Sequence, residues 1–420
     1  MRNANLIDKL TSRLPVSARR ALDMLKRLAE EQHLTLHLVG GPVRDLVLGA
    51  ATLDLDLAVE GDALSLASQV AAALNARCVQ HRAFGTATVK GEGSSLDLAT
   101  VRSESYQHPG ALPRVHPASI REDMLRRDFT INAMALSLTG PQRGELFDPC
   151  GGQADLKAGL VRVLHEGSFV DDATRILRAV RYEVRLGFHL EERTLAWLKR
   201  DVAYLQSISG ARLRQEIARI LEEAEPERIL LRLQKLEALA AVHPLLSFDD
   251  RQAQALAALR RLMPEAVPAA YWPLLAWGLD EGEAAALTGR LALTRAQSQA
   301  VCAMPRLRGR EEALSKPQLK PSQVAGILLD HPAAVVEALA AAAPATVRER
   351  CLDYLRHGRH ARTALDGTAL LELGVPPGPG MREVLQRLKV ARLDGEVTSR
   401  REEEQMVRSL LASGICGRSS

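Results

Sequence analysis

The spacing of apolar and polar positions divides the chain into a strand-bearing first part and a helical remainder. Apolar runs and alternating apolar positions predict five short strands, near residues 36–39, 53–59, 77–81, 86–90 and 95–100. Helical spacing predicts a leading helix over 16–32, and Asp62 is suited to cap a helix that ends near residue 76. From residue 160 onward the spacing is almost entirely helical. We therefore expect an α+β fold in which a small mixed sheet with helices is followed by an all-α region.

Two glycines separate the first predicted strand from the helix that follows it. Gly40 and Gly41 allow a tight turn and let a ligand approach the backbone closely, and Pro42 suits the first turn of a helix. The free N–H groups and positive dipole at such a helix start favour phosphate, and Arg44 adds a charge one turn later. Glycine pairs are also common in ordinary α/β turns, so the motif acquires meaning only from its neighbours.

Acidic residues follow in the second predicted strand. Asp54 and Asp56 are two residues apart, so on a strand their carboxylates point to the same face. Like charges this close are unfavourable unless a cation lies between them, and carboxylate oxygens are ligands that Mg²⁺ prefers. Asp97, flanked by leucines in a later strand, is either a solvent-facing residue or a third carboxylate that binds metal or accepts a proton. A phosphate-binding turn beside a two-carboxylate metal site indicates nucleotide transfer.

A proline-rich segment and a cluster of charges follow the predicted sheet. Residues 102–118 contain three prolines and are predicted to form a loop beside the site, with His108 and His116 as loop residues rather than metal ligands. In the charged cluster after it, Arg127 is placed to hold a triphosphate and Asp128 to support Arg127. The alternative is an ordinary solvated charge run.

A second charged motif lies in the helical region. Asp172, Arg175, Arg178 and Arg181 recur at three-residue steps, so neighbouring members share one helical face. On its own, this pattern also fits an ion-pair ladder on the surface of a helix. Another amphipathic helix is predicted over 212–223 and is expected to pack beside the first.

Composition limits the class of protein without identifying it. The 420 residues carry a net charge of +4, which is mildly basic and compatible with an RNA partner. The five cysteines are widely spread without a Cys-x-x-Cys pair, which favours free thiols in a reducing compartment. A signal-peptide core and an apolar run of membrane-spanning length are not found, so a cytoplasmic protein is expected. Nothing in the sequence indicates a protein partner.

Taken together, the motifs resemble those of the class II tRNA nucleotidyltransferases (CCA-, CC- or A-adding enzymes) and bacterial poly(A) polymerases. The resemblance is carried by Gly40-Gly41-Pro42-Val43-Arg44-Asp45, Asp54-Leu55-Asp56, Arg126-Arg127-Asp128-Phe129-Thr130-Ile131-Asn132-Ala133 and Asp172-Ala173-Thr174-Arg175-Ile176-Leu177-Arg178. It implies a polymerase-β-like nucleotidyltransferase head over 1–140 and a helical neck with a base-reading motif over 141–224. A helical body and tail over 225–420 would bind tRNA.

The resemblance also implies roles for individual residues. Asp54 and Asp56 would bind Mg²⁺, and Asp97 would be the third acidic residue. The incoming nucleotide would be held, mainly by its phosphates, by Gly41, Arg44, Arg127, Arg178 and Arg181. Asp172 and Arg175 would read the base. The implied reaction is template-free addition of C, A or both to the 3′ end of tRNA from CTP and ATP, with attack of the 3′-hydroxyl on the α-phosphate and release of pyrophosphate.

The chemistry of the last pair supports a base-reading role. A carboxylate accepts hydrogen bonds and a guanidinium donates them, so Asp172 and Arg175 together match an amine donor beside a ring-nitrogen acceptor. Cytosine and adenine both present that order. Uracil and guanine present the opposite order and would leave both side chains unpaired, which is costly in a buried site.

The motifs also depart from the family pattern. Asp171-Asp172 stands where Glu-Asp is usual, and Ala173 where proline is frequent. The segment from Tyr106 to Pro113 resembles enzymes that add only CC or only A, so a partial adder is the expectation. Alternatives are a poly(A) polymerase, a non-catalytic RNA-binding protein on an inactive head, and a nucleotide-signalling synthetase, which would not need the base reader or a long helical body.

Overall fold

The computed structural model describes residues 4–50, 55–91, 93–105 and 114–413. These form two compact units. The first contains the described residues up to 216 together with 235–242, and the second contains 217–234 and the described residues from 243 onward.

The first unit is built on a mixed sheet. The strands are β1 (Thr35–Val39), β2 (Asp56–Glu60), β3 (Arg77–His81), β4 (Thr86–Gly91), β5 (Ser94–Thr100), β6 (Arg102–Ser105), β7 (Arg114–Pro117), β8 (Ala135–Ser137), β9 (Leu146–Phe147), β10 (Leu160–Val161) and β11 (His189–Leu190). Seven of them form one sheet in the order β3-β4-β5-β2-β1-β8-β9. Its neighbours are antiparallel except β2 and β5, which run parallel. The five strands predicted from alternation are confirmed, to within three residues at each end.

The segment 102–118 differs from the predicted loop. Its described ends, β6 and β7, pair as an antiparallel ribbon in which Ser103 is opposite His116. His108 lies outside the described residues. The loop prediction was wrong for these two ends, because Pro117 stands at the end of an isolated two-stranded ribbon, where a proline removes few ladder hydrogen bonds. The predicted loop residues 106–113 lie outside the described residues.

Helices cover both faces of the large sheet. The helices up to residue 221 are α1 (Ala4–Arg13), α2 (Val16–Glu31), α3 (Gly41–Leu48), α4 (Ala63–Ala73), α5 (Ile120–Leu125), α6 (Gly152–Ala158), α7 (Ser168–Asp171), α8 (Thr174–Leu186), α9 (Glu192–Asp201) and α10 (Gly210–Leu221), among which α2, α4 and α5 pack against the sheet. On one face, α2 and α4 pack against the strands. Asp62 caps α4 as predicted, because its carboxylate accepts from the backbone N–H groups of Leu64 and Ser65.

The opposite face of the sheet carries α5. Ser119 and Glu122 form a capping box at its start, and Met124 packs in a buried cluster with Val39, Ala58 and Ala135. Because Ala58 is two residues after Asp56, both project to this side of the sheet. The face of the sheet to which Asp56 projects is therefore the face that carries α5.

The second unit is helical, as predicted for the end of the chain. Its helices are α11 (Pro226–Lys235), α13 (Asp250–Leu262), α14 (Tyr271–Leu275), α15 (Glu281–Arg290), α16 (Arg295–Arg308), α17 (Glu311–Ser315), α18 (Pro321–Leu328), α19 (Ala333–Ala342), α20 (Ala345–Arg356), α21 (Gly367–Glu372), α22 (Pro379–Leu393) and α23 (Arg400–Ala412). Between α11 and α13 the chain forms α12 (Ala238–Val242), which belongs to the first unit. Short 3₁₀ turns cover Arg82–Phe84, Thr130–Asn132, Val202–Ser207, Pro264–Ala266 and Gly358–His360.

Two cores hold the second unit together. The apolar helix α19 packs against α13, α14, α16 and α20, and its residues Val335, Val336 and Leu339 are fully buried. A separate cluster joins α21, α22 and α23 around Leu370, Leu388 and Val407. In the described part of the chain, no single helix is long and apolar enough to span a membrane, and the pair α18 and α19 reaches such a length only across a bend of 116°.

Candidate active site

The glycine turn lies at the end of β1. Gly40 has φ +75° and ψ −135°, a backbone conformation that L side chains rarely adopt. A Cβ atom at Gly40 would lie 2.7 Å from Nη1 of Arg127, so a side chain here would displace the tip of this arginine. The glycine turn expected from the sequence thus lies next to Arg127, which is predicted to bind phosphate.

Arg44 lies beside the same turn but is buried, with 2% of its surface exposed. Its Nη1 donates to Oδ1 of Asn132 at 2.9 Å, and its Nε donates to Asp45 at 2.8 Å. A Cβ at Gly41 would lie 3.6 Å from Nη2 of Arg44. The guanidinium is therefore held by protein partners at a fixed position next to Gly41, rather than extended into solvent.

Two acidic side chains meet on the sheet. Asp56 of β2 and Asp97 of β5 are register partners in the parallel pair, so they project to the same face. Leu96 and Leu98, on either side of Asp97, are buried, whereas Asp97 is exposed and accepts from the hydroxyl of Thr88 at 2.6 Å. Asp54 lies outside the described residues, so the geometry of the predicted Asp54–Asp56 pair is not described.

Asp123 supports the two arginines that follow α5. It is buried, and its two oxygens accept from Nη2 of Arg126 at 2.5 Å and from Nη2 of Arg127 at 3.1 Å. Burial would raise the pKa of this carboxyl, but the two guanidiniums outweigh burial and lower it. The sequence predicts Asp128 as the support of Arg127. That prediction was wrong, although the i, i+4 spacing from Asp123 to Arg127 was visible in the sequence.

Asp128 instead supports Arg178. It accepts from Nε of Arg178 at 2.9 Å, from Nδ2 of Asn132 at 3.1 Å and from its neighbouring N–H at Phe129. Burial alone would raise the pKa of Asp128, but the Arg178 guanidinium holds it at about 2. Since Asn132 also holds Arg44, Asp128 and Asn132 connect Arg44 with Arg178 through a continuous set of hydrogen bonds.

Asp172 does not lie on a helix. It falls between α7 and α8 in an extended conformation, φ −145° and ψ 98°, so it does not share a helical face with Arg175 as predicted. Its Oδ1 accepts from the backbone N–H and hydroxyl of Thr174, and its Oδ2 accepts from Nη2 of Arg212 at 2.7 Å. The Asp172 side chain thus accepts a hydrogen bond from the backbone two residues further on, and such local side-chain bonds favour a non-helical backbone at the acidic residue.

Arg175 is buried, and its guanidinium contacts protein. Nη1 donates to the Ser168 hydroxyl at 2.7 Å, and Nη2 donates to the backbone carbonyl of Arg126 at 2.9 Å. The second contact ties α8 to the segment that carries Arg126 and Arg127.

These side chains enclose one cavity of about 420 Å³ in the first unit. It is lined by five arginines, three carboxylates and two uncharged polar residues: Arg126, Arg127, Asp128, Asp172, Thr174, Arg175, Arg178, Arg212, Gln215 and Glu216. Four residues predicted for nucleotide binding are thus brought together, namely Arg127, Asp172, Arg175 and Arg178. Gly41, Arg44, Arg181, Asp56 and Asp97 are not among its lining residues.

One wall of the cavity, formed by residues of α10, was not predicted from the sequence. Arg212, Gln215 and Glu216 line the cavity about 40 positions after Asp172, and Glu216 lies 3.8 Å from Nη1 of Arg178. The amphipathic pattern of 212–223 predicted the helix, which the structure places at Gly210–Leu221. Which of its polar residues would face Asp172 was not readable from that pattern.

The fold and the cavity define a nucleotidyltransferase head. A family model described as "Poly A polymerase head domain" matches residues 36–162, and one described as "Probable RNA and SrmB- binding site of polymerase A" matches residues 187–249. Over 96% of its length, the chain is 34% identical to the A-adding tRNA nucleotidyltransferase of Geobacter sulfurreducens and 31% identical to that of Halalkalibacterium halodurans. It spans 48% of the Geobacter relative and 95% of the Halalkalibacterium relative. The chain belongs to the tRNA nucleotidyltransferase family.

Other relatives differ in what they add. A CC-adding tRNA nucleotidyltransferase of Deinococcus radiodurans is 30% identical over 93% of both chains. Among solved structures, a CCA-adding enzyme in its apo form II has a TM-score of 0.79 at 31% identity, covering 97% of this chain and 98% of that one. The Thermotoga maritima CCA-adding enzyme complexed with tRNA has a TM-score of 0.74 at 29% identity, with the same coverage.

Proposed function

We propose that this protein adds the terminal A to tRNA that already ends in CC, by transferring AMP from ATP to the 3′-hydroxyl and releasing pyrophosphate. Two relatives that match 96% of the chain are A-adding enzymes, which supports this choice over CC or complete CCA addition. A partial adder is also what the segment 106–113 resembles. The free thiols at Cys78, Cys150, Cys302 and Cys351 suit a reducing compartment, and we propose the cytoplasm.

The observation that carries the proposal is the arginine-lined cavity beside the glycine turn. Nη1 of Arg127 is 2.7 Å from where a Gly40 Cβ would be, so a triphosphate held by Arg127 would also lie close to the Gly41 N–H at the start of α3. Arg178 and Arg127 line the same cavity. We assign them to the phosphates together with Arg44 and Arg181, because guanidiniums form strong paired hydrogen bonds to phosphate oxygens. Gly41 would contribute through its backbone N–H at the helix start.

The acidic face of the sheet suits a divalent metal. The carboxylates of Asp56 and Asp97 project side by side, and hard oxygen donors fit Mg²⁺. We propose that Asp54 and Asp56 hold Mg²⁺ and that Asp97 completes the acidic set. When bound, the metal would stabilise charge on the attacking and leaving oxygens.

Base selection would rest on Asp172 and Arg175. Asp172 would accept from the exocyclic amine of adenine, and it is held in place for this by Thr174 and Arg212. Arg175 would donate to the ring nitrogen, in exchange for its contact with the Arg126 carbonyl. A base with the opposite donor and acceptor order would leave both groups unpaired.

The test uses three tRNAs that end before CCA, after one C and after CC. Each is incubated with the purified protein, Mg²⁺, and CTP or ATP singly and together, and products are sized on a gel. We expect one AMP on the CC-ended tRNA alone. Completion of all three to CCA, or a stop at CC, would contradict A addition while keeping the family activity. A long A tail would indicate a poly(A) polymerase, and no incorporation would indicate an RNA-binding protein.

Two controls test the acidic residues and the metal. Asp56→Asn should reduce the rate by about a thousandfold or more, because a charged ligand is lost where transition-state charge develops. Circular dichroism should show an unchanged fold. Omission of Mg²⁺ with a chelator present should abolish transfer, and unchanged transfer would contradict the metal assignment.

A further inference from the structure

A single aromatic ring lies against three guanidiniums of the first unit. The Tyr182 ring centroid is 5.1 Å from Cζ of Arg44, 5.8 Å from Cζ of Arg178 and 4.9 Å from Cζ of Arg181. Arg44 comes from α3, whereas Arg178 and Arg181 come from α8, as does Tyr182 itself. The ring therefore contacts Arg44 together with two arginines that lie 134 and 137 positions later in the chain.

The ring is itself held in place. Tyr182 is buried, with 8% of its surface exposed, and it meets the Phe129 ring edge to face at 5.7 Å between centroids and 79° between planes. The Phe129 backbone N–H donates to Asp128, which in turn accepts from Arg178. The segment that orients Arg178 through a carboxylate thus also fixes the ring that contacts it.

Three guanidiniums this close repel one another unless other groups compensate. Asp45 pairs with Arg44, and Asp128 pairs with Arg178. A further carboxylate would compensate charge but would also occupy N–H donors, which a bound phosphate then could not use. An aromatic face attracts the cation through its quadrupole without itself occupying N–H donors, so it adds no further acceptor to those that already hold Arg44 and Arg178. The ring is therefore suited to gathering arginines that must still bind an anion.

We propose that Tyr182 is a positioning residue which holds Arg44, Arg178 and Arg181 as one polyphosphate-binding face. The ligand class is a polyphosphate with the spacing of a nucleoside triphosphate; its identity as ATP rests on the proposed function. We assign this role to the aromatic ring, because the ring lies within 6 Å of all three guanidiniums. The Tyr182 hydroxyl acts electrostatically on Arg178 as well, and Tyr182→Phe separates the two contributions.

The test compares three substitutions at this position. Tyr182→Leu removes the ring, Tyr182→Met removes it while keeping an unbranched side chain of similar reach, and Tyr182→Phe removes only the hydroxyl. The matched control is Tyr204→Leu, because Tyr204 is a 38% exposed tyrosine of the same unit. Each variant is measured for KM of ATP, KM of CC-ended tRNA and kcat, and for binding of inorganic tripolyphosphate by calorimetry.

We expect Tyr182→Leu and Tyr182→Met to raise KM for ATP and Kd for tripolyphosphate by about tenfold, the loss expected for desolvated cation–π contacts. The KM for tRNA and kcat should change by less than about twofold, and Tyr182→Phe should recover most of the affinity. Equal losses in Tyr182→Phe and Tyr182→Leu would overturn the role of the ring. Equal losses in ATP and tRNA parameters would show a merely structural residue.

The two proposals fail in different ways. If the unmodified protein incorporates no nucleotide, the proposed function is wrong, and the tripolyphosphate measurement still decides the role of Tyr182. If the unmodified protein transfers AMP but does not bind tripolyphosphate, the polyphosphate-binding face is wrong. Should the Leu and Met variants fail to fold, Tyr182→Phe still decides, because weaker tripolyphosphate binding in that variant contradicts a role carried by the ring alone.

Discussion

Asp123 in the first unit and Glu403 in the second are both buried carboxylates that pair with arginine, but their other hydrogen-bond partners and their structural roles differ. Asp123 accepts mainly from two arginine side chains that line the cavity, Arg126 and Arg127. Its hydrogen bond from the backbone N–H of Arg102 is longer, at 3.3 Å. Glu403 is fully buried and accepts from the backbone N–H groups of Ala364 and Leu365 as well as from Arg392. The partners decide the role. A carboxylate bound mainly to backbone N–H groups fixes the chain, whereas one bound mainly to cavity arginines positions groups for a ligand.

The largest effect we expect is on stability, from Glu403→Ala. Removal of this carboxylate leaves the buried N–H of Leu365, the N–H of Ala364 and one guanidinium without their acceptor, which should lower the free energy of unfolding by about 3–5 kcal/mol. Denaturant unfolding followed by circular dichroism measures it. The KM for ATP of the folded protein should not change. A changed KM would show that Glu403, like Asp123, affects nucleotide binding. Glu404→Ala is the control, because Glu404 pairs with Arg400 on the helix surface and should cost less than about 1 kcal/mol.

Asp123→Asn should act mainly on nucleotide affinity. Asparagine keeps the shape but loses the charge that holds Arg126 and Arg127, so both long side chains regain rotational freedom. We expect KM for ATP to rise about tenfold to a hundredfold, which steady-state kinetics measures. Asp8→Asn, on the exposed face of α1, is the control. A large loss of stability with an unchanged KM would show that Asp123, like Glu403, stabilises the fold and does not position groups for the nucleotide.

The Asp128–Arg178 pair should reveal itself through pH. The pKa of Asp128 is about 2 in the folded protein against an ordinary 3.8, so the folded state binds this proton less tightly than the unfolded state. The stabilisation is fully present above about pH 4 and is lost as pH falls through 2; it amounts to about 2 kcal/mol.

Asp128→Asn tests this window. The difference in unfolding free energy between the unmodified protein and Asp128→Asn should be constant from pH 7 to about pH 4 and should shrink below it. Measurement by denaturant titration at several pH values is sufficient. A difference that shrinks already between pH 7 and 5 would mean that another group titrates in its place.

The smallest effect should come from Arg212→Ala. This change frees Oδ2 of Asp172 but leaves its contacts with Thr174, so the carboxylate stays close to its position and loses part of its orientation. We expect the preference for ATP over GTP and UTP, taken as a ratio of kcat/KM values, to fall about fivefold. Arg212→Lys keeps the charge and should fall less, and Arg193→Ala on the exposed side of α9 should not change the ratio. An unchanged ratio in Arg212→Ala would make Arg212 irrelevant to base choice.

Local chemistry allowed much of this protein to be predicted from sequence. The alternation around Asp97, the cap at Asp62 and the glycine turn each depend on residues within a few positions, and each is found as expected. The helical character of the chain after residue 160 follows equally from local spacing. Family membership was also within reach, because it rests on short motifs whose residues and order are visible in the sequence.

Only the tertiary structure decided which charged groups meet. Asp128 pairs with a guanidinium 50 positions away rather than with Arg127, Asp172 meets Arg212 40 positions away, and Tyr182 joins arginines of two helices. Periodicity assigns a residue to a face of its own element but not to a partner on another element. Arginine adds to this limit, because its long side chain carries several donors and can reach many acceptors. The sequence thus determined the local elements and the set of charged residues, and the packing of distant elements determined their pairs.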